Sequence, residues 1–198
     1  MARDTLTELA DEALLVLYAH GDPDAARLLS ARLLPRLLGY AGRMLADRAE
    51  AEDVAQEAML RLWRMAPDWR QGEAQVSTWA YRVATNLCTD RLRARHRRRA
   101  EALDSVPEPV DGAKSAVAGM IEADRMAALN SALAQLPDRQ REAVVLRHIE
   151  GLTNPDIAQI MQIGVEAVES LTARGKRALA AALAGKREVL GYQEADYD

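Results

Sequence analysis

Residues Ser77 to Arg99 have the sequence STWAYRVATNLCTDRLRARHRRR. The stretch contains no Gly or Pro, and Ser77 is a residue type that commonly caps helices, so one long helix is predicted. Apolar residues recur at helical spacing and predict a buried stripe of Ala80, Val83, Ala84, Leu87, Cys88 and Leu92. The opposite, solvent-facing side is expected to carry Tyr81, Thr85, Thr89 and Arg93, flanked by Trp79, Arg82, Asn86 and Asp90.

The end of this stretch is strongly basic. Six of its last nine residues are arginines, namely Arg91, Arg93, Arg95, Arg97, Arg98 and Arg99. Aromatic rings near the start of a helix and guanidinium groups at its end suit a nucleic-acid strand, because rings stack on bases and guanidinium groups bind phosphates. A solvated basic helix end, favoured by the helix dipole, explains the same pattern. The stretch alone leaves both interpretations open.

The composition restricts the class of protein. A chain of 198 residues suits one domain or two small ones. Its formal net charge is −4, so any affinity for nucleic acid must come from local basic patches. The single Cys excludes an intramolecular disulfide and a metal site with several thiolate ligands. No apolar run is as long as a membrane span and no signal-peptide pattern is present, which predicts a soluble, cytoplasmic protein.

The segment before Ser77 predicts three helices. The first spans roughly Thr5 to His20, and Asp22-Pro23 then has the pattern of an N-cap and a first helical residue. Pro35 lies inside the second helix and is expected to kink it or split it in two. Asp47 and Glu50 fit a capping box for a third helix, from Arg48 to about Met65. No period-two alternation occurs anywhere, so an all-α fold is predicted.

The third predicted helix has a polar, acidic surface near its N-terminal half. It consists of Glu52, Asp53, Gln56 and Glu57. A di-metal site in a helix bundle needs a Glu-x-x-His partner, and no His lies near, so we expect no metal and no cofactor. Two interpretations stay open: an ordinary solvated face, and a rigid surface that docks a basic partner.

Two segments together resemble region two of a bacterial sigma factor: EDVAQEAMLRLW at 52–63 and STWAYRVATN at 77–86. The shortness of the chain points to the extracytoplasmic-function group (group IV) of the sigma-70 family. The resemblance implies that Asp53, Gln56 and Glu57 bind core RNA polymerase. It also implies that the helix from Ser77 melts and recognises the −10 promoter element. The residues expected to contact this DNA are Trp79, Tyr81, Arg82, Asn86, Asp90, Arg93, Arg97 and Arg98.

A second helical unit is predicted from about Met120 onward. It contains LPDRQREAVVL at 136–146, EGLT at 150–153, and helix-turn-helix spacing from Asn154 to Ala173. We predict helices from about Asn154 to Met161 and from about Val165 to Leu183, with Ile157, Ile160, Val165 and Val168 facing inward. The two segments resemble sigma region four, which binds the −35 element. The residues assigned to that contact are Glu166, Glu169, Ser170, Arg174, Lys176 and Arg177.

Three residues depart from the pattern of region four. Gln162 stands where the turn commonly has Gly, and Gly164 is expected to supply the bend instead. Glu169 and Leu171 stand where basic residues are usual. A carboxylate in the major groove can accept a hydrogen bond from cytosine N4, so Glu169 either recognises a base or orients a neighbour such as Arg174. Both interpretations remain open.

The sequence therefore predicts two small helical domains joined by a flexible acidic linker. The expected division is region two at 1–99, the linker at 100–119, region four at 120–185 and an acidic tail at 186–198, which is either disordered or folded back on a basic face. Whether the free protein is extended or closed on itself stays open.

The predicted function is that of an RNA polymerase sigma factor in transcription initiation, with no catalytic residues. Its expected partners are core RNA polymerase, promoter DNA and an anti-sigma factor, without membrane insertion. The alternative is a free-standing helix-turn-helix transcriptional regulator. That alternative leaves the helix of Asp53 and the helix of Trp79 unexplained. A helical metal-dependent enzyme is disfavoured, because His20, His96 and His148 are scattered without ligand spacing.

Overall fold

A computed structural model describes residues 6–70, 72, 75–101 and 117–184, and only the backbone for residues 117–123. Its elements in chain order are α1 (Asp11–Ala19), α2 (Pro23–Leu45), α3 (Arg48–Met65), a 3-10 turn (Ala66–Asp68), α4 (Val76–Glu101), α5 (Val117–Ala134), α6 (Asp138–Val144), a π-helical turn (Val145–Ile149), α7 (Asn154–Met161) and α8 (Val165–Ala184). The described part of the chain is all-α, as predicted. The acidic tail and most of the predicted linker lie outside the described residues.

The first unit comprises α1 to α4. Asp22 caps α2, because its carboxylate accepts hydrogen bonds from the backbone N–H groups of Asp24 at 2.9 Å and Ala25 at 3.2 Å. Asp47 caps α3 in the same way through the N–H of Glu50 at 3.0 Å. The predicted starts of both helices are thus confirmed, and α3 has the predicted bounds.

Three expectations for this unit were wrong in detail. Helix α2 continues unbroken through Pro35, which lies on the exposed side, where water can bond the carbonyl that loses its N–H partner. The single helix predicted from Thr5 to His20 is interrupted, because the helical residues Leu6 and Thr7 are separated by a turn from helix α1, which begins at Asp11. Helix α4 begins at Val76, so Ser77 lies in its first turn, and the N–H of Val76 donates to Glu12 of α1 at 2.9 Å.

The inward side of α4 differs from the prediction. Tyr81 and Thr85, expected in solvent, are 0% and 3% exposed. Tyr40 of α2 explains this burial, because its hydroxyl lies 2.7 Å from the Thr85 hydroxyl and its ring meets Tyr81 edge-on with centroids 5.6 Å apart. Val83 and Leu87 are only half-buried, and the buried residues of α4 are Val76, Thr78, Ala80, Tyr81, Ala84, Thr85, Cys88 and Leu92.

The second unit comprises α5 to α8, and α7 and α8 have the predicted helix-turn-helix positions. Thr153 and Asp156 form a reciprocal capping box at the start of α7. Ile157, Ile160 and Val168 are buried as predicted, but Val165, the first residue of α8, is 40% exposed.

The turn between α7 and α8 is made by Gln162. The backbone of this residue has φ 54° and ψ 49°, in the left-handed region that residues other than Gly rarely adopt. The expectation that Gly164 supplies the bend is therefore wrong, since Gly164 has no positive φ.

Helices α6 and α8 lie in close contact at Gly175. A Cβ atom there would lie 2.5 Å from Cγ2 of Val144 and 3.0 Å from the carbonyl oxygen of Gln140. Gly175→Ala is therefore expected to destabilise the protein by about 1–3 kcal/mol in urea unfolding. Gly42→Ala, which adds the same methyl group in a helix with no atom within 4 Å, is the control and should be neutral or stabilising. Equal midpoints for both variants would contradict the packing at Gly175.

Candidate docking and nucleic-acid surfaces

Helix α3 presents two polar residues without competing partners. Asp53 and Gln56 are exposed, and neither has a hydrogen-bond or ion-pair partner among the described residues. Glu57 is half-buried and accepts a hydrogen bond from Arg61 at 2.7 Å, which lowers the pKa of its carboxyl. Glu52 is paired with Arg48 at 2.9 Å. Asp53 and Gln56 are thus the groups most available to an incoming partner.

Leu60 extends this surface and was not singled out from the sequence. Its side chain is 48% exposed, and it lies four residues after Gln56 and seven after Asp53, on the same side of α3. Its spacing from Gln56 and Asp53 is the feature of the sequence from which its place on this surface could have been predicted. We call Asp53, Gln56, Glu57 and Leu60 the α3 surface. It combines acceptors with an apolar contact, which suits a protein partner better than a nucleic acid.

Six of the eight predicted −10 residues share one side of α4. At about 100° per residue, they fall within a sector of about 80°, which we call the outer face of α4. Its members are Trp79, Arg82, Asn86, Asp90, Arg93 and Arg97. All are exposed except Trp79, which is half-buried against the core. Tyr81 lies on the opposite, buried side, and Arg98 is exposed but off this sector.

The arginine run divides into structural and exposed members. Arg95 donates to the carbonyl of Leu45 at 2.6 Å and pairs with the carboxylates of Asp47 at 3.4 Å and Glu50 at 3.1 Å. It therefore ties α4 to the connection between α2 and α3. Arg91 is half-buried. The arginines available to a phosphate backbone are Arg93, Arg97, Arg98 and Arg99.

All six predicted −35 residues are exposed on α8. Glu166, Ser170 and Arg177 lie opposite the buried side of the helix, Glu169 and Lys176 follow one edge, and Arg174 lies on the other edge. The side chain of Glu169 accepts from Asn154 of α7 at 3.4 Å, whereas Arg174 donates to the carbonyl of Ser170 at 3.3 Å. The orienting partner of Glu169 is therefore Asn154 and not Arg174.

The two units contact each other, with α7 packed against α4. The Tyr81 hydroxyl donates to Glu150 Oε2, and Arg43 Nη1 lies 3.8 Å from Glu150 Oε1. Burial and the Glu150 carboxylate raise the pKa of Tyr81.

Two further polar contacts cross between the units. With the amide oxygen of Gln162 facing Arg82, the guanidinium donates to it at 3.0 and 3.2 Å. His96 lies 3.5 Å from Asp138. We call these two pairs, together with Glu150–Tyr81 and Glu150–Arg43, the closure contacts.

Glu142 is a buried acid in α6. It is 2% exposed, and burial raises the pKa of its carboxyl to about 7, although the Arg139 guanidinium at 3.2 Å opposes this shift. The native state therefore holds this proton more tightly than an unfolded chain, whose carboxyl titrates near pH 4.5. Native stability should fall as pH rises from about 4.5 to about 7.

Glu142→Gln removes this titration. The variant is expected to gain about 1–3 kcal/mol over the parent at pH 8 and little at pH 4.5, in urea unfolding at both values. Glu166→Gln, which changes an exposed acid in the same unit, is the control and should keep the pH dependence of the parent. An unchanged pH dependence in Glu142→Gln would contradict the assignment.

Other kinds of site are not found in the described ranges. There, no group of three or more His, Cys, Asp or Glu side chains could hold a metal ion. Over the same residues, no helix combines the length and apolar character that crossing a membrane requires.

Comparison with known proteins identifies relatives of both units. Residues 29–98 match the family model for Sigma-70 region 2, and residues 126–179 match that for Sigma-70, region 4. The RNA polymerase sigma-H factor of Pseudomonas aeruginosa is 33% identical over 187 residues, which cover 90% of this chain and 96% of that protein. The ECF RNA polymerase sigma factor SigW of Bacillus subtilis is 31% identical over 169 residues, covering 80% and 89%.

Two solved structures share the fold. CnrH in complex with the cytosolic domain of CnrY has a TM-score of 0.67 at 24% identity, covering 89% of this chain and 99% of that one. The sigma factor RpoE in complex with the anti-sigma factor NepR from Bartonella quintana has a TM-score of 0.65 at 20% identity, covering 80% and 96%. At these identities the likeness concerns the arrangement of the helices.

Proposed function

We propose that this chain, which belongs to the sigma-70 family and is an RNA polymerase sigma factor of the extracytoplasmic-function type, divides promoter recognition and initiation among three helices. The α3 surface binds core RNA polymerase. The outer face of α4 recognises and opens the −10 element. Helix α8 recognises the −35 element. The observation that carries this proposal is the outer face of α4, which presents half-buried Trp79, two exposed polar side chains and three exposed arginines within one sector.

The chemistry of that sector fits a strand that is being separated from its complement. Arg82, Arg93 and Arg97 can hold phosphates along the helix, whereas Asn86 offers a donor and an acceptor to a base edge. Trp79 can stack on a base at the start of the helix. Tyr81 is buried beneath Glu150 in this conformation, so its contact with DNA requires the two units to separate.

The proposed division of the chain follows the two units. Region two comprises 1–99 and region four comprises 120–185, with a linker at 100–119 and a tail at 186–198. A regulatory partner is an anti-sigma factor, by analogy with the complexes of CnrH with CnrY and of RpoE with NepR. The protein acts in the cytoplasm, where core polymerase is found, and catalyses no reaction of its own.

Gel filtration with purified core polymerase tests the proposal against its rivals. A sigma factor elutes with core at a ratio of one to one, and the complex binds promoter DNA. A free-standing helix-turn-helix regulator binds duplex DNA alone and does not elute with core. Absence of the complex, with the chain folded, would overturn the proposal.

Glu169 gives a residue-level prediction for the −35 contact. Its hydrogen bond to Asn154 at 3.4 Å leaves the second carboxylate oxygen able to accept from a cytosine N4 group. Glu169→Gln is expected to change base preference at one or two adjacent −35 positions, by about 1–3 kcal/mol, in promoter selection with holoenzyme.

Asn154→Ala separates the two roles of Glu169, because it removes the orienting partner and keeps the carboxylate. This variant should weaken the base preference at the same −35 positions without changing which base is preferred. A uniform gain in affinity with identical preference in Glu169→Gln would show that Glu169 recognises no base.

A further inference from the structure

We propose that Arg95 is a positioning residue for promoter contact: it anchors the end of α4 so that the arginines at 97–99 meet DNA phosphates, and it does not contact DNA itself. This inference rests on the proposed function, since it deepens the role given to α4 there. The observation that carries it is the place of Arg95, where α4 leaves the core of the first unit, with its guanidinium bonded to the connection between α2 and α3.

Helix α4 extends well past its last buried residue. That residue is Leu92, which is 8% exposed, and the helix continues to Glu101. Ala94 and Arg95 are half-buried, and every residue from His96 to the end of the helix is exposed. The end of α4 therefore gains little from apolar packing, which supplies most of the stability of helices in proteins.

The arginines of this segment also repel one another. Two pairs lie four residues apart, Arg93 with Arg97 and Arg95 with Arg99. Like charges at this spacing destabilise a helix, whereas the favourable effect of the helix dipole is confined to the last turn. Helix ends fray readily, so the basic end of α4 needs an attachment to the rest of the unit if its arginines are to keep fixed positions.

Arg95 provides this attachment through three groups. Its Nη1 donates to the carbonyl oxygen of Leu45 at 2.6 Å. Its Nη2 lies 3.1 Å from Glu50 Oε2 and 3.4 Å from Asp47 Oδ2, and the other carboxylate oxygen of Asp47 caps α3. The Arg95 side chain is 26% exposed, so these charged contacts are partly shielded from water and should be stronger than an exposed ion pair.

The direction of Arg95 separates it from the outer face of α4. Arg93 and Arg97 belong to that face, and at about 100° per residue Arg95 lies about 160° around the helix from both. A phosphate contact by Arg95 itself would require it to leave a carbonyl and two carboxylates. The closure contact between His96 and Asp138, at 3.5 Å, joins side chains that are 65% and 38% exposed, so it should anchor α4 only weakly.

The order of the helix end can be measured in the free, full-length protein. Ala100 is exposed near the end of α4, and Ala100→Cys supplies a thiol for a nitroxide spin label. The native Cys88 should stay unlabelled, because it is 0% exposed and burial raises the pKa of its thiol to about 12. Electron paramagnetic resonance then compares the mobility of the label with and without Arg95→Ala.

Arg32→Ala is the matched control, because Arg32 makes the same kind of attachment elsewhere in the first unit. It donates to the carbonyl oxygen of Leu9 at 2.7 Å and pairs with Asp11 at 2.9 Å, and its side chain is 30% exposed. These contacts join α2 to the region of α1. A general loss of stability should therefore affect the Arg32 and Arg95 variants alike, and thermal unfolding will show that both are folded.

The label at position 100 should be more mobile in Arg95→Ala than in the parent, and unchanged in Arg32→Ala. In holoenzyme, Arg95→Ala should lower the slope of log K against log salt for promoter binding by about 0.9–2.7, the range for one to three lost phosphate contacts. In a variant whose arginines at 97–99 are replaced with Ala, adding Arg95→Ala should leave the slope as it is, because the contacts that Arg95 positions are already absent.

Equal label mobility in Arg95→Ala and in the parent would overturn the proposal. A further loss of about 0.9 in slope, when Arg95→Ala is added to the variant without arginines at 97–99, would also overturn it, since Arg95 would then bind a phosphate itself. Equal changes in Arg32→Ala and Arg95→Ala would do the same, because the effect would be a general loss of stability. The spin-label measurement needs no polymerase, so failure of the proposed function is recognised separately.

Discussion

Replacing Asp53 and Gln56 together with Ala is expected to abolish the stable complex with core RNA polymerase while leaving the fold intact. Both side chains are exposed and have no hydrogen-bond or ion-pair partner among the described residues, so their loss should not disturb α3. Truncating one member of a charge pair that becomes buried at an interface costs about 2–5 kcal/mol, which weakens binding by roughly 30-fold to several thousand-fold. Surface plasmon resonance with immobilised core measures the effect.

Two further variants are compared with the double variant for their loss of core binding. Leu60→Ala should weaken binding less than the double variant, because it removes apolar contact area alone. Asp24→Ala removes an acid that is paired with Arg27 on α2, and it should bind core like the parent. Parent-like affinity in the Asp53→Ala, Gln56→Ala variant would show that core docks elsewhere.

Replacing Arg97, Arg98 and Arg99 with Ala is expected to weaken holoenzyme binding to every promoter and to flatten its salt dependence. Each lost phosphate contact lowers the slope of log K against log salt by about 0.9. Three lost contacts lower it by about 2.7, so between 50 and 200 mM salt the parent loses about 40-fold more affinity than the variant. Titration of promoter binding over this salt range measures the slopes.

Two controls separate phosphate contact from other effects. Arg27→Ala removes an exposed arginine far from α4 in sequence and should leave the slope unchanged. Asn86→Ala should alter preference among −10 sequences without changing the slope. Equal slopes in parent and triple variant would exclude phosphate contact by the end of α4.

Helix positions could be predicted where local chemistry decides them. Asp22 caps α2 through the N–H of Asp24 two residues on, and Asp47 caps α3 through the N–H of Glu50 three residues on, so both caps depend on neighbouring residues alone. The helices from Asn154 and Val165 were predicted from the helix-turn-helix spacing of their apolar residues, which is also a local property. Exposure of Asp53 and Gln56 also followed from the spacing of the apolar residues on α3.

The predictions that were wrong depend on residues distant in sequence. Tyr81 was placed in solvent although its ring packs against Tyr40 and its hydroxyl donates to Glu150, 69 residues away, and Thr85 was placed there although its partner is Tyr40, 45 residues away. Arg95 belongs to the arginine run that suggests phosphate contacts. Its guanidinium instead donates to the carbonyl of Leu45 at the end of α2 and pairs with Asp47, which caps α3. No pattern within a single helix contains such information.

Run-off transcription with sigma-free core polymerase tests the central claim most directly. Purified core alone should produce no promoter-specific transcript from a template library. Addition of this chain should yield transcripts from templates that share one −10 and one −35 sequence, with the −10 thymines made reactive to permanganate in the open complex. If the chain binds such templates as duplex DNA but core still neither opens nor transcribes them, the assignment as a sigma factor is contradicted.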